Sequence, residues 1–239
     1  MAKKTKGKSM SIAEFAVQLI PSGDTVVGLG SGHAARMFLD ALAQRLQGGE
    51  LRIRGGIPTS VETECYARRL GIPLLTPEQC DTIDITVDGA DEVDLQLNLI
   101  KGYGRSLVRE KIIAEASNSY IILVGPEKLV SRLGERGILP VEIVPFAFHF
   151  CQKRLRELGL TPVLYQKDNK AFQSDNGNFI LDCALPDFID AGELERNVLA
   201  IPGVVGTGFF LNQADTVFIG VGDTMEFQEQ RHRTGKDIP

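Results

Sequence analysis

The sequence predicts an α/β protein: a parallel sheet with helices on both faces, followed by a smaller α+β region of ferredoxin-like order. Three observations predict it. Short β-branched runs alternate with helically periodic segments through residues 25–125. After Pro140 the pattern changes to strand–helix–strand–strand–helix–strand, with an Asn-Gly turn signal between the middle strands. The 239 residues are also enough for one large domain, or one domain with a smaller partner.

In chain order, "TVVGLG" (25–30) is a strand running into a glycine turn. Residues 33–47 form a helix with Ala34, Phe38, Ala41, Leu42 and Leu46 on one face. "LRIRGGIP" (51–58) is a second strand, and 60–71 a helix stopped by Gly71. A third strand over 82–89, a helix over 106–118 and a strand over 120–125 complete the alternation. Beyond Pro140 come a strand (141–145), a helix (147–158) and a strand (161–166). The Asn-Gly turn lies within 174–183 and leads into a strand; a helix (190–200) and a strand (204–210) follow. One further strand, 216–222, is not assigned to a sheet by pattern alone, and the polar tail from Gln228 is read as frayed.

Charge and composition exclude several function classes. The net charge is -5, so no basic surface for nucleic acid or anionic lipid is expected. Lys3, Lys4, Lys6 and Lys8 crowd the N-terminus and read as a solvated tail. No run approaches the roughly 20 apolar residues that cross a bilayer, and no apolar segment follows the lysines, so a soluble, cytoplasmic protein is expected. Cys65, Cys80, Cys151 and Cys183 are scattered, and His33, His149 and His232 neighbour no other histidine or cysteine. Neither zinc spacing nor a soft-metal site is present, and no cofactor is expected.

Four stretches carry candidate chemistry. "GLGSGHAA" (28–35) is a glycine turn between strand and helix, of the kind that offers backbone N–H groups to phosphate. It does not fit a dinucleotide fingerprint: His33 holds the last glycine position, and the next strand ends in Gly55-Gly56-Ile57 with no acid. There is no nucleotide P-loop, which leaves a small phosphorylated ligand or a plain tight turn. In "GGIPTSVETE" (55–64), Thr59 or Ser60 caps the following helix, and Glu62 and Glu64 suit its first turn. "DGADEVD" (88–94) holds four acids, spaced wrongly for a calcium loop. Asp88 and Asp91 fall at the carboxyl end of a strand, where parallel sheets bind ligands, whereas Glu92 and Asp94 read as solvated loop or helix-start acids. In "NLIKGYGRSLVREK" (98–111), Lys101 precedes a Gly-x-Gly turn and Glu110 lies in the first turns of a helix. A lysine, a helical carboxylate and two strand-end aspartates beside a phosphate turn suit proton transfer next to a carbonyl: one carboxylate acts as base, and the Lys and Asp groups stabilise or protonate the oxygens.

These stretches, with "PTS" (58–60), "LVREKIIA" (107–114), "EKLVSRLG" (127–134), "LPVEIVPFA" (139–147) and "DNGNFILD" (175–182), resemble type A ribose-5-phosphate isomerase in order and across nearly the whole chain. The resemblance implies a Rossmann-like catalytic domain over 1–137 plus 208–239, and a small α+β domain over 138–207. It implies metal-free interconversion of D-ribose 5-phosphate and D-ribulose 5-phosphate through an enediolate, in a homodimer or homotetramer. Glu110 matches the family's general base, and Asp88, Asp91 and Lys101 its sugar-oxygen ligands. Ser31, Gly32, His33 and Ala34 match the phosphate loop; Gly89, Ala90, Gly102, Tyr103, Gly104 and Lys128 are the remaining expected substrate contacts. The chain departs from the family at Ser31-Gly32-His33-Ala34, where two loop hydroxyls are missing, and at Tyr103 and Arg105, where glycines are usual. The first-helix lysine of the family has only Lys8 as its nearest candidate. Two alternatives remain: an isomerase of a related sugar phosphate, its pocket reshaped by Tyr103, Arg105 and His33, and a sugar-phosphate-binding regulator without turnover.

Overall fold

The computed structural model describes residues 10–186 and 190–220, together with the backbone of 227–231. Lys8 and His232 lie outside the described residues, as do residues 221–222 of the last predicted strand. The chain begins with α1 (Ile12–Gln18), for which no helix is predicted above, although "SIAE" is a capping box: Ser11 accepts from the Glu14 amide, and the Glu14 carboxylate accepts from the Ser11 amide. Then follow β1 (Val26–Leu29), α2 (Gly32–Gln47), β2 (Gly55–Pro58), α3 (Val61–Arg69), β3 (Ile83–Asp88), β4 (Glu92–Val93), β5 (Leu99–Ile100), α4 (Leu107–Glu115) and β6 (Ser117–Val124). The second half contains β7 (Ile138–Ile143), α5 (Phe148–Glu157), β8 (Thr161–Leu164), β9 (Gln166–Lys167), β10 (Lys170–Ala171), β11 (Phe179–Ala184), α6 (Ala191–Leu199) and β12 (Val204–Thr207). It ends with β13 (Phe209–Phe210), β14 (Thr216–Gly220) and β15 (Phe227–Arg231).

The main sheet has the order β15-β14-β6-β3-β1-β2, parallel throughout except at β15. Both its faces are covered, which is why its strands read as continuous apolar runs. Alternation along β6 shows this directly. Ile121 and Leu123 pack on one side with α1 and α2 residues such as Val17, Phe38 and Leu42; Tyr120, Ile122 and Val124 pack on the other with Leu99, Phe210 and Val217. A second sheet, β12-β7-β11-β8, is antiparallel and carries α5 and α6 on one face through Leu139, Val141, Ile143, Leu155, Leu181 and Val198. Numbered along the chain its strands run four-one-three-two, the ferredoxin-like order the sequence predicts. Among the described residues, no helix is long and apolar enough to cross a membrane.

The predicted elements differ from the observed ones in several places. The helix predicted to reach residue 118 stops at Glu115, because the Ser117 hydroxyl takes the Ile113 carbonyl and meets Thr86 on β3, drawing the chain into β6. The strand predicted over 51–58 pairs only from Gly55. The tail from Gln228, read as frayed, contributes Gln228–Arg231 to β15, paired with β14. The strand predicted over 204–210 divides at Gly208: β12 belongs to the second sheet, while β13 joins β5 and β4 in a small three-stranded sheet. Only glycine allows that crossing. A Cβ at Gly208 would stand 2.4 Å from the Lys101 carbonyl oxygen, and the Gly208 backbone bonds both Pro140 O and Lys101 N.

Candidate active site

The carboxyl ends of β1, β3 and β6 open onto a cavity of ≈ 340 Å³, within the range of small-molecule sites. One end is built by the first turn of α2. Gly32, His33 and Ala34 line it, and no side chain caps the helix, so its leading amides are available to an anion. Gly89, Ala90 and Lys128 also line the cavity. Ser31 also lines the cavity; its hydroxyl meets those of Thr59, Ser60 and Thr63 at 2.7, 3.1 and 3.3 Å, and its amide donates to Asp88. That hydroxyl cluster ties the β1–α2 turn to the start of α3, where Ser60 accepts from the Thr63 amide as cap. Gly30 lets β1 approach β3 closely, since a Cβ there would lie 2.3 Å from Asp88 Oδ1.

The ionisable groups lie beside these residues, with the Lys101 ammonium on the Gly89 carbonyl. Lys101 Nζ stands 3.0 Å from Asp88 Oδ2 and 3.5 Å from Glu110 Oε2, and it donates to the Gly89 carbonyl. All three side chains are buried. Asp88 is anchored by the amides of Ser31 (3.0 Å) and Gly89 (2.8 Å), with the Tyr120 phenol 3.4 Å from its second oxygen. Asp88 lies behind Lys101 and does not line the cavity, whereas Lys101, Asp91 and Glu110 do. Among the described residues, Glu110 Oε2 has no partner closer than the Lys101 ammonium at 3.5 Å. Burial pushes the Glu110 carboxyl up to about 8; Lys101 opposes the rise, while Asp88 and Asp91 add to it. Asp91 is also raised, chiefly by burial, although its Oδ2 accepts from the Tyr103 amide at 2.9 Å. Burial alone would lower Lys101, but Asp88 and then Glu110 outweigh it and hold the ammonium well above its ordinary value. The trio is therefore a charged lysine shared by one anchored carboxylate and one carboxyl that ionises near neutrality.

Gly102 and Gly104 line the cavity, but Tyr103 does not. Its hydroxyl turns instead to the Ile138 backbone, at 3.3 Å from O and 3.2 Å from N. Arg105 also points away, to Asp182 and Tyr165. Two acids of "DGADEVD" depart from their solvated reading. Glu92 is fully buried, accepting from the Gly134 (2.5 Å) and Arg136 (2.8 Å) amides; Asp94 closes a turn through the Gln96 and Asn98 amides, at 2.9 Å each. They tie loops together because β4 and β5 form a tight hairpin beneath them. Sequence reasoning missed Tyr120, whose polar tip in an apolar strand was the available signal, and Glu127, which lines the cavity mouth. A larger cavity of ≈ 800 Å³ lies between α3, α4 and the 71–77 segment, but its arginines are already engaged, Arg68 with Glu64 and Arg109 with Asn176. The convergence of buried ionisable groups, rather than volume, selects the smaller one.

The family model described as ribose 5-phosphate isomerase A (phosphoriboisomerase A) matches residues 55–224. A protein of Roseiflexus sp. (strain RS-1) named ribose-5-phosphate isomerase A is 44% identical over 212 residues, 88% of this chain and 91% of that protein. One of Thermomicrobium roseum with the same name is 44% identical over 210 residues, 87% of each chain. Among solved structures, ribose 5-phosphate isomerase A from Methanocaldococcus jannaschii superposes with TM-score 0.86 at 38% identity, covering 92% of this chain and 96% of that one. A D-ribose-5-phosphate isomerase in complex with phospho-erythronic acid gives TM-score 0.86 at 36% identity with the same coverages.

Proposed function

Since the chain belongs to the ribose 5-phosphate isomerase A family, and is an aldose–ketose isomerase of ribose 5-phosphate, we propose that Glu110 moves the proton between C1 and C2 of the bound sugar. The observation that carries this reading is a buried carboxyl in the cavity wall, pushed up to about 8, whose Oε2 stands 3.5 Å from a charged lysine.

The phosphate binds the first-turn amides of α2 and Lys128, a helix N-terminus being electrostatically suited to an anion. That places the sugar chain toward Lys101, Asp91 and Glu110. In the aldose-to-ketose direction Glu110 removes the C2 proton, and the electron pair forms a C1–C2 double bond. The aldehyde oxygen takes the resulting negative charge, which the Lys101 ammonium stabilises. The C2 hydroxyl proton passes to O1, carried by Asp91, a cavity-lining carboxyl of raised proton affinity. Glu110 then returns its proton to C1, leaving a ketone at C2. Asp88 serves the step through Lys101, holding the ammonium charged and in place, and Tyr120 supports Asp88. The assembly is proposed as a homodimer or homotetramer in the cytoplasm.

The direct test is conversion of D-ribose 5-phosphate to D-ribulose 5-phosphate, followed beside a panel of other pentose and hexose phosphates. Preference for the pentose phosphate is expected. Faster turnover of another sugar phosphate, or binding without turnover, would overturn the assignment.

A further inference from the structure

Arg105 has a left-handed backbone, φ 68°, a conformation that costs a side-chain-bearing residue about 1–3 kcal/mol unless its surroundings impose it. Its guanidinium donates to both oxygens of Asp182 on β11, the NH2–Oδ2 distance being 3.1 Å, and stacks 3.6 Å over the Tyr165 ring. A forked pair combined with stacking is a fixed geometry that lysine could not reproduce. The tether thus joins the loop between Lys101 and α4 to the second sheet.

What it holds is the proton-transfer machinery. The same loop presents the Tyr103 amide that orients Asp91, and the Arg105 amide closes it onto the Gly102 carbonyl at 2.9 Å. Ser106, next in the chain, begins α4 without a side-chain cap, and its carbonyl accepts from the Glu110 amide. Helix α4 buries Leu107, Ile113 and Ala114 together with Glu110 and leaves Ile112 58% exposed. Polar ties to the second-sheet region add to that packing: Arg109 to Asn176 and the Asp175 carbonyl, and Lys111 to Glu195.

We propose that Arg105 is a positioning residue for the isomerisation: docked on Asp182 and Tyr165, it fixes the 101–106 loop and the first turn of α4, and so sets the Lys101–Glu110 separation and the aim of Asp91. This rests on the proton-transfer roles proposed above, and the experiment separates the two. Arg105→Gly removes the tether while suiting the left-handed backbone; Tyr165→Leu weakens it from outside the loop and serves where the glycine variant does not fold. Both are assayed beside Glu110→Gln for kcat, KM, the pH profile of kcat/KM, and the melting midpoint. Arg105→Gly is expected to lose about 10- to 100-fold in kcat, the scale of a misplacement near 1 Å. Its KM stays within about threefold, and the rising limb of its pH profile moves away from about 8. Tyr165→Leu shows a smaller loss in the same direction, and adding Asp182→Asn to Arg105→Gly slows it no further. Parental kcat and an unmoved pH limb in Arg105→Gly, whether or not its melting midpoint falls, would overturn the proposal while leaving the base intact. Near-parental turnover in Glu110→Gln would instead overturn the base assignment itself.

Discussion

Glu110→Gln removes a proton acceptor and a buried charge together, and the structure gives a magnitude for each. A carboxyl with ordinary value 4.5 that titrates at about 8 in the fold binds its proton about 3,000-fold more tightly when folded, a difference of about 5 kcal/mol. The sign follows from where the proton sits. Between those two values the folded protein keeps the proton and the unfolded chain loses it, so this group's stabilising contribution is fully present below 4.5. It is lost as pH rises toward 8; above that, the native state carries an ionised, desolvated carboxylate. Glutamine does not titrate, so the variant's advantage is absent near pH 4.5, grows across the window and levels off above 8. Even half of 5 kcal/mol raises the melting midpoint by about 5–10 °C in a chain of this size. Turnover moves the other way, by about 10²- to 10⁴-fold, the usual weight of a general base. The assay is a melting series at pH 5.5, 7.0 and 8.5 beside steady-state kinetics on D-ribose 5-phosphate. A variant that melts with the parent at all three values would refute the buried-charge argument, and one that turns over near the parental rate would refute the base.

Four further outcomes are expected. In the parent enzyme, kcat/KM should rise about tenfold from pH 7 to pH 9 as Glu110 ionises through about 8; a profile flat over that interval contradicts it. Ser31→Ala should cost about 1 kcal/mol of stability with little change in KM, because the hydroxyl of this cavity-lining residue is already bonded to Thr59, Ser60 and Thr63. A tenfold rise in KM would place it on the phosphate instead. Glu92→Gln should lose about 1–3 kcal/mol from the loop it ties, measured by denaturant unfolding, with kcat retained. Treatment with EDTA should leave activity unchanged, as the absence of metal-ligand spacing in the sequence implies; loss restored by a divalent ion would show otherwise.

The strands and helices that bury one continuous face were legible because their period is local. Val26–Leu29, Ile83–Asp88 and Tyr120–Val124 announce buried strands by composition, and Gly32–Gln47 a helix by spacing. What sequence could not give was decided by distant partners. Glu92 and Asp94 read as solvated because nothing in "DGADEVD" says that the amides of Gly134, Arg136, Gln96 and Asn98 await them. Tyr103 and Arg105 look like intruders in a substrate loop until Ile138 and Asp182 are seen to receive them. Ser31 has the residue type of a phosphate ligand, yet three neighbouring hydroxyls claim its side chain. Residue types identified the cluster of Lys101, Asp91 and Glu110, while the third dimension assigned Asp88 to the layer behind it.

The crossing at Gly208 has a consequence in time. Lys101 receives its backbone partner from Gly208, Lys111 donates to the Phe209 carbonyl, and the Tyr120 amide donates to Asp215. During synthesis at about 5–20 residues per second, roughly 5–20 s separate the emergence of Lys111 from that of Gly208. For that interval the ribosome displays a glutamate and a lysine destined for burial, with the strand that closes over them still unmade. A nascent chain arrested before Gly208 should therefore hold all of the chemistry's residues while lacking the backbone partner of Lys101 and the Phe209 carbonyl that receives Lys111.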